Sequence, residues 1–198
     1  MSRFDADETY CYPGTDVLRN KAEITDANEL DAYEGEPSTL RSIEILENPL
    51  VGQFDLALLQ RIHFALFQDI YDWAGKIRTV DISRGNSRFA NVRFIESAAN
   101  EIFNKLAREN WLKGLDAGHL SKRLAHYLSE INALHPFREG NGRVQRIFIS
   151  HLSQAAGYQL DYSDLEQEQI YQAMELAFNG DESILANLIL AHLDQLES

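Results

Sequence analysis

Cysteine is nearly absent from this chain: Cys11 is the only one in 198 residues. A single thiol closes no internal disulfide and builds no cysteine-based metal cluster. The six histidines include no H-E-x-x-H pattern, so the spacing of a zinc hydrolase is missing as well. Cations are scarce. Lys and Arg number 18 against 31 Asp and Glu, for a formal net charge of −13. That balance excludes a protein that tracks nucleic-acid phosphates, which needs a basic face. No apolar run is long enough to span a bilayer, and the first residues, Met1 to Glu8, lack a signal-peptide apolar core. The expectation is a cytoplasmic protein without membrane or direct nucleic-acid binding. These features are also compatible with delivery into a host cell by a specialised secretion system.

What is present is a helical pattern. Hydrophobic residues make up 44% of the chain, enough for one sizeable core. Thr25-Asp26 is a helix cap, and the helix it starts runs to about Glu47. Pro37 lies inside that stretch, after Gly35, and predicts a kink or an interruption. Asp55 caps a second helix, whose apolar stripe is Leu58, Leu59, Ile62, Leu66, Phe67 and Ile70. Further helices are expected over about 96–112, 121–134, 163–178 and 182–196. The reading is one all-α domain over 1–198, with its core at about 55–160, its C-terminal helices at about 163–196 and one β interruption.

That interruption is a hairpin at about 78–92. Val80 and Ile82 alternate with Asp81 and Ser83, the period of a strand. Arg84-Gly85-Asn86-Ser87 is turn chemistry, and Phe89 begins a short return.

The densest chemistry lies at 135–146: His-Pro-Phe-Arg-Glu-Gly-Asn-Gly-Arg-Val-Gln-Arg. Pro136 disfavours the α conformation at His135, so the preceding helix ends about there. Val144, Ile147, Phe148, His151 and Leu152 then repeat at helical spacing. Gly140-Asn141-Gly142 is therefore a turn that opens a helix. Its backbone N–H groups form a nest for an anion, and the helix N-terminus adds positive dipole. Arg143 and Arg146 share a face of the new helix, where two cations oppose that dipole. A bound polyanion explains the conflict better than stability does. Glu139 stands just before the nest. One carboxylate can hold Mg²⁺ when substrate phosphates and waters complete the shell. His135, with an ordinary pKa near neutrality, is the natural base.

The segment HPFREGNGRVQR resembles the signature of the Fic (filamentation induced by cAMP) family, HPFx(D/E)GNGRxxR, at every specified position. The resemblance extends to Tyr71-Asp72-Trp73-Ala74-Gly75-Lys76 and to the opening Tyr12-Pro13-Gly14-Thr15-Asp16-Val17-Leu18-Arg19-Asn20, which is similar to stand-alone bacterial Fic toxins. It implies a Fic-fold helical bundle with a β-hairpin flap over the active site. It also implies adenylylation, a nucleotidyltransferase reaction that moves AMP from ATP to a protein hydroxyl. On that resemblance His135 deprotonates the hydroxyl and Glu139 holds Mg²⁺. Gly140, Asn141 and Gly142 cradle phosphates, Arg143 neutralises phosphate charge and Arg146 holds the γ-phosphate. Lys76 and Tyr171 are expected near the nucleotide, with weaker support. The flap residues Ile82, Ser83 and Arg84 would pair with the target, and Phe89 would clamp the modified side chain. Kinase, UMP or phosphocholine transfer, and a secreted effector acting on host proteins, are the alternatives.

Family members are commonly restrained by a helix bearing (S/T)xxxE(G/N), whose glutamate pairs with the second motif arginine, here Arg146. In this chain Glu34, Glu47, Glu109 and Glu139 precede Gly or Asn. The residues four places earlier are Leu30, Ile43, Lys105 and His135, none of them Ser or Thr. The resemblance therefore implies a toxin restrained by a separate small antitoxin that brings this helix to Arg146. It further implies DNA gyrase or topoisomerase IV as target.

Overall fold

The computed structural model describes residues 7–84, 87–163 and 165–196. Asp26 caps the first helix as expected: its carboxylate accepts the N–H groups of Asn28 and Glu29, each at 3.0 Å. The helix, α1, runs Ala27–Glu47. Pro37 does not interrupt it, contrary to one of the expected outcomes. Proline removes an amide donor from the helix. Neighbouring hydroxyls serve the carbonyls around it: Ser38 Oγ donates to Glu34 O at 2.7 Å and Thr39 Oγ1 to Gly35 O at 2.8 Å. Asp55 caps α2, Leu56–Phe67, by accepting from Leu58 N at 2.9 Å.

The hairpin is shorter than its alternation suggests. Strand β1 is Ser83–Arg84 and β2 is Ser87–Arg88, antiparallel, with Ser83 opposite Arg88. Val80 and Ile82 precede the strands, and Ile82 is buried. Of the expected turn, Gly85 and Asn86 lie outside the described residues. Both roots of the hairpin are tied down. Arg78 N donates to Pro136 O at 2.9 Å, and Ala90 N donates to Ala133 O at 3.0 Å.

Helix α3 spans Ile95–Arg108 and stops short of the expected Leu112. Asn110, Trp111 and Leu112 have φ of 53, 50 and 63°, a left-handed turn. Such a residue costs about 1–2 kcal/mol unless it is glycine. Burial of the Leu112 side chain offsets this. Arg123 and Tyr127 also hold Glu109, with Arg123 Nε at 2.8 Å and Tyr127 OH at 3.0 Å from its carboxylate.

Helix α4, Ala117–Leu134, carries both Arg123 and Tyr127. It packs against α5, Asn141–Ala155, and against α7, Ser183–Ala191; α5 also packs against α2. Leu59, Ile62, Leu124, Ile131, Val144, Phe148 and Leu152 are fully buried among these helices. Helix α6, Gln167–Phe178, covers the same side as α7. The last expected helix is too long. After Ala191 the chain extends into a strand, β4, Leu193–Gln195, which pairs antiparallel with β3, Tyr158–Leu160. The fold thus has a second small sheet where one β interruption was expected. Three-residue strands carry too little alternation to stand out beside helices. No helix among the described residues is long and apolar enough to cross a membrane.

Candidate active site

His135 terminates α4 with φ 45° and ψ 62°, in the left-handed region. Pro136 explains why it leaves the helix. The turn leaves the imidazole nearly buried, with Nδ1 3.0 Å from Asn132 O. A carbonyl only accepts, so Nδ1 carries the hydrogen and donates it. In the neutral form of the ring this tautomer puts the basic nitrogen at Nε2, the form a general base needs. The backbone is pinned too: Arg78 Nε donates to His135 O at 2.8 Å. Phe89, at the foot of β2, stacks on the imidazole at 3.8 Å between centroids with the rings 22° apart.

The loop to α5 is latched by one side chain. Asn141 Oδ1 accepts from Phe137 N at 3.0 Å, and Asn141 Nδ2 donates to Phe137 O at 2.8 Å. Gly140, just before α5, has φ +79°, and a Cβ there would lie 2.4 Å from the Phe67 ring. Glycine is therefore required at this turn by both backbone and space. The first N–H groups of α5 have no carbonyl a turn earlier, which leaves them for an anion.

His63, on α2, is the floor of this loop. It is fully buried, accepts Gly75 N–H at Nδ1 (2.8 Å) and so donates from Nε2 to Glu139 O (3.1 Å). Its ring lies 4.1 Å from that of Phe137. Burial pushes its pKa from 6.5 down to about 3, so it stays neutral. His63 therefore joins the segment after Trp73 to the nest. The Glu139 carboxylate is half-buried and accepts Gly140 N–H at 3.0 Å.

The two motif arginines go to different neighbours. Arg143 is ion-paired to Glu34 of α1, donates to Ser38 Oγ at 2.7 Å and lies 4.7 Å over the Phe67 ring. The second oxygen of Glu34 accepts from Tyr71 OH at 2.5 Å. Burial, and then Glu34, raises the pKa of that phenol, so it remains a donor. Arg146 lies beside Gly142, where a Cβ would stand 3.3 Å from its Nη1. Burial raises the pKa of the Tyr162 phenol, against the opposing pull of the Arg146 charge.

His135, Glu139, Gly140, Asn141, Gly142, Arg143 and Arg146 are thus gathered around one turn, as the sequence pattern requires. Asn141 contributes its side chain to the latch, and any contact with an anion falls to its backbone. Lys76 is exposed and makes no ion pair among the described residues, although its neighbour Gly75 bonds to His63. Tyr171 is half-buried on α6, outside the elements that carry the motif. His126 is satisfied by Glu182 at 3.1 Å, as a helix-surface histidine should be.

Sequence reading misses His63, Arg78 and the Glu34–Arg143 pair. Arg78 is fully buried and donates to the carbonyls of His135, Val80 and Ala90. The available signal was its place between Trp73-Ala74-Gly75 and the hairpin, where a surface role was not required.

Residues 53–153 match the Fic/DOC family. Three relatives and structures place the rest of the chain. The protein adenylyltransferase VbhT of Bartonella schoenbuchensis is 41% identical over 96% of this chain, which spans only 40% of that protein's length. A probable protein adenylyltransferase, y4lH of Sinorhizobium fredii, is 42% identical, with 94% of this chain and 96% of that protein covered. Among solved structures, BepC of Bartonella tribocorum with bound AMPPNP superposes with a TM-score of 0.89 at 27% identity, covering 96% of this chain and 99% of that one. With its motif folded as described and its fold shared across nearly its whole length, the chain belongs to the Fic/DOC family.

Proposed function

We propose that the chain is a protein adenylyltransferase, which moves AMP from ATP to a side-chain hydroxyl of a target protein. The observation that carries this reading is the contact of His135 with Asn132: with Nδ1 3.0 Å from that carbonyl, the neutral ring has its basic nitrogen at Nε2. In the reaction Nε2 takes the hydroxyl proton, the oxygen bonds to the α-phosphorus, and the bond to pyrophosphate breaks. Such transfer depends on in-line placement and charge stabilisation more than on covalent chemistry. The N-terminus of α5 supplies placed N–H donors, and Arg146 supplies a cation for the γ-phosphate. The curated relatives named as adenylyltransferases and the AMPPNP bound by BepC support the assignment.

The half-buried Glu139 carboxylate beside the nest fits the protein's share of a Mg²⁺ site, the remaining ligands being phosphate oxygens and water. No group of three His, Cys, Asp or Glu among the described residues could hold a metal by itself. Bound there with ATP, Mg²⁺ would neutralise charge on the phosphates.

The target docks, in this reading, along the flap: β1 and the residues before it offer an edge for a peptide strand, and Phe89 stands over His135 to clamp the acceptor. We further propose that the protein is the toxin of a toxin–antitoxin pair, acting in the cytoplasm on DNA gyrase or topoisomerase IV. The support is that none of the four glutamates that precede Gly or Asn completes the (S/T)xxxE(G/N) pattern, and the one on α1, Glu34, pairs with Arg143. Expressed alone the chain should arrest growth, and a small partner with that helix should relieve the arrest. Normal growth with soluble, active protein present would count against the toxin role.

The test of the reaction is α-labelled ATP in a cell lysate with parent protein and His135→Ala. Label on a protein band with the parent alone is expected, with ATP binding kept in the variant. Equal labelling by both refutes the role of His135, and transfer of γ label in place of α label refutes AMP transfer.

A further inference from the structure

Arg143 belongs to the phosphate-binding segment, yet its guanidinium is directed into α1. The pocket that receives it is built. Glu34 lies on α1 three residues before Pro37, with a side chain 13% exposed, and pairs with Nη2. Ser38, itself buried, accepts Nη1 at 2.7 Å. The Phe67 ring lies beneath at 4.7 Å. The other Glu34 oxygen is held by Tyr71, a buried phenol stacked on Trp73 at 4.3 Å. Every partner of this ion pair is therefore supplied by the protein itself.

A phosphate that recruited Arg143 would have to break a charge-assisted bond and strand a largely buried carboxylate. Removing one partner from such a pair is the costly case. The pair also relieves a local conflict. A cation in the first turn of α5 opposes the helix dipole, and a carboxylate reaching in from another helix cancels it. Phe67 connects the pair to the nest, because the same ring lies under Gly140.

We propose that Glu34 is a positioning residue: with Tyr71 and Ser38 it holds Arg143 as a strut between α1 and the start of α5, and so sets the nest that receives the phosphates. Arg143 then stays on Glu34 when nucleotide binds, and Arg146 serves the triphosphate. This deepens the proposed reaction and rests on the nest being its nucleotide site.

The test is calorimetric titration of a non-hydrolysable ATP analogue with Mg²⁺ into the parent, Glu34→Gln, Arg143→Gln and the double variant. Thermal unfolding is measured for each. Glu34→Asp, one methylene short but still charged, serves if Glu34→Gln fails to fold. A strut predicts that the two single variants lose affinity to a similar extent. It also predicts that the double variant is no worse than the weaker-binding single one, because both remove the same contact. Three results overturn the proposal: a loss of about tenfold or more confined to the Arg143 variant, as expected when a charged bond to phosphate is removed; losses that multiply in the double variant; or no loss in either single variant. Absence of analogue binding by the parent would instead remove the nucleotide-site reading, and coupling in the unfolding temperatures would still report the pair.

Discussion

An alanine at Gly140 would add one methyl group to the nest, and the structure sets its cost. At φ +79° a Cβ carries a penalty of about 1–2 kcal/mol. The added carbon would also stand 2.4 Å from Phe67 Cε2 and 2.5 Å from Cζ. That ring has little room to swing. It is 1% exposed, with His63 4.8 Å away and the Arg143 guanidinium 4.7 Å over its face. Overpacking of a rigid site adds about 1–3 kcal/mol. Gly140→Ala should therefore lose about 2–5 kcal/mol. At about 2–4 °C per kcal/mol for a chain of this size, Tm should fall by roughly 4–20 °C. Gly142→Ala is the control. Its φ lies outside the left-handed region, its nearest neighbour is the flexible end of Arg146 at 3.3 Å, and it sits inside α5. It should cost less than about 1 kcal/mol, since alanine favours a helix over glycine. Urea unfolding followed by far-ultraviolet circular dichroism measures both. Phe67→Leu in the Gly140→Ala background should recover part of the overpacking and none of the backbone strain. A Gly140→Ala variant within about 0.5 kcal/mol of the parent would refute the argument, as would a costlier Gly142→Ala.

Other perturbations test other joints. His63 takes up its proton only near pH 3, whereas in the unfolded chain it does so near 6.5. The unfolded state binds more protons between those values, so stability is full above about 6.5 and falls as pH drops toward 3. This group contributes at most about 1.4 kcal/mol per pH unit. His63→Phe should flatten that slope in urea titrations across the window, and parallel slopes in the two proteins would contradict it. Arg78→Met leaves the carbonyls of His135, Val80 and Ala90 without their donor, a loss of roughly 3 kcal/mol or more. Limited proteolysis should then cut the hairpin faster than in the parent, and unchanged cutting would remove Arg78 as its anchor. Asn141→Asp keeps the acceptor for Phe137 N but loses the donor to Phe137 O and brings a negative charge to the nest. Analogue binding should weaken by about tenfold or more; affinity equal to the parent would show that the latch is dispensable.

The parts of this molecule that were legible in the sequence are those with short-range causes. Asp26 and Asp55 announce helix starts because a capping carboxylate acts on amides two or three residues ahead. Pro136 announces the end of α4 because its ring acts on the residue before it. The motif is legible for the same reason: nest, acid and base fall within twelve positions. What the sequence hides is set at long range. Glu34 meets Arg143 across 109 positions, and His63 reaches Glu139 across 76. No local period encodes either contact. The stop of α3 is hidden differently. Its pattern continues through Trp111, and the left-handed turn is won by the burial of Leu112 and the capture of Glu109 by α4. At Pro37 a local rule gave way to local chemistry, in the hydroxyls of Ser38 and Thr39.

The chain's one thiol lies next to its densest chemistry. Cys11 is 1% exposed, and its Sγ accepts from Arg138 at 3.7 Å; Arg138 is itself held by Asp7 at 2.9 Å beneath the motif loop. At 1% exposure, Cys11 meets a thiol reagent only when the packing around it opens. With one cysteine per chain, the rate of modification becomes a clock with a single hand. It counts how often the packing around that thiol opens, with no residue changed.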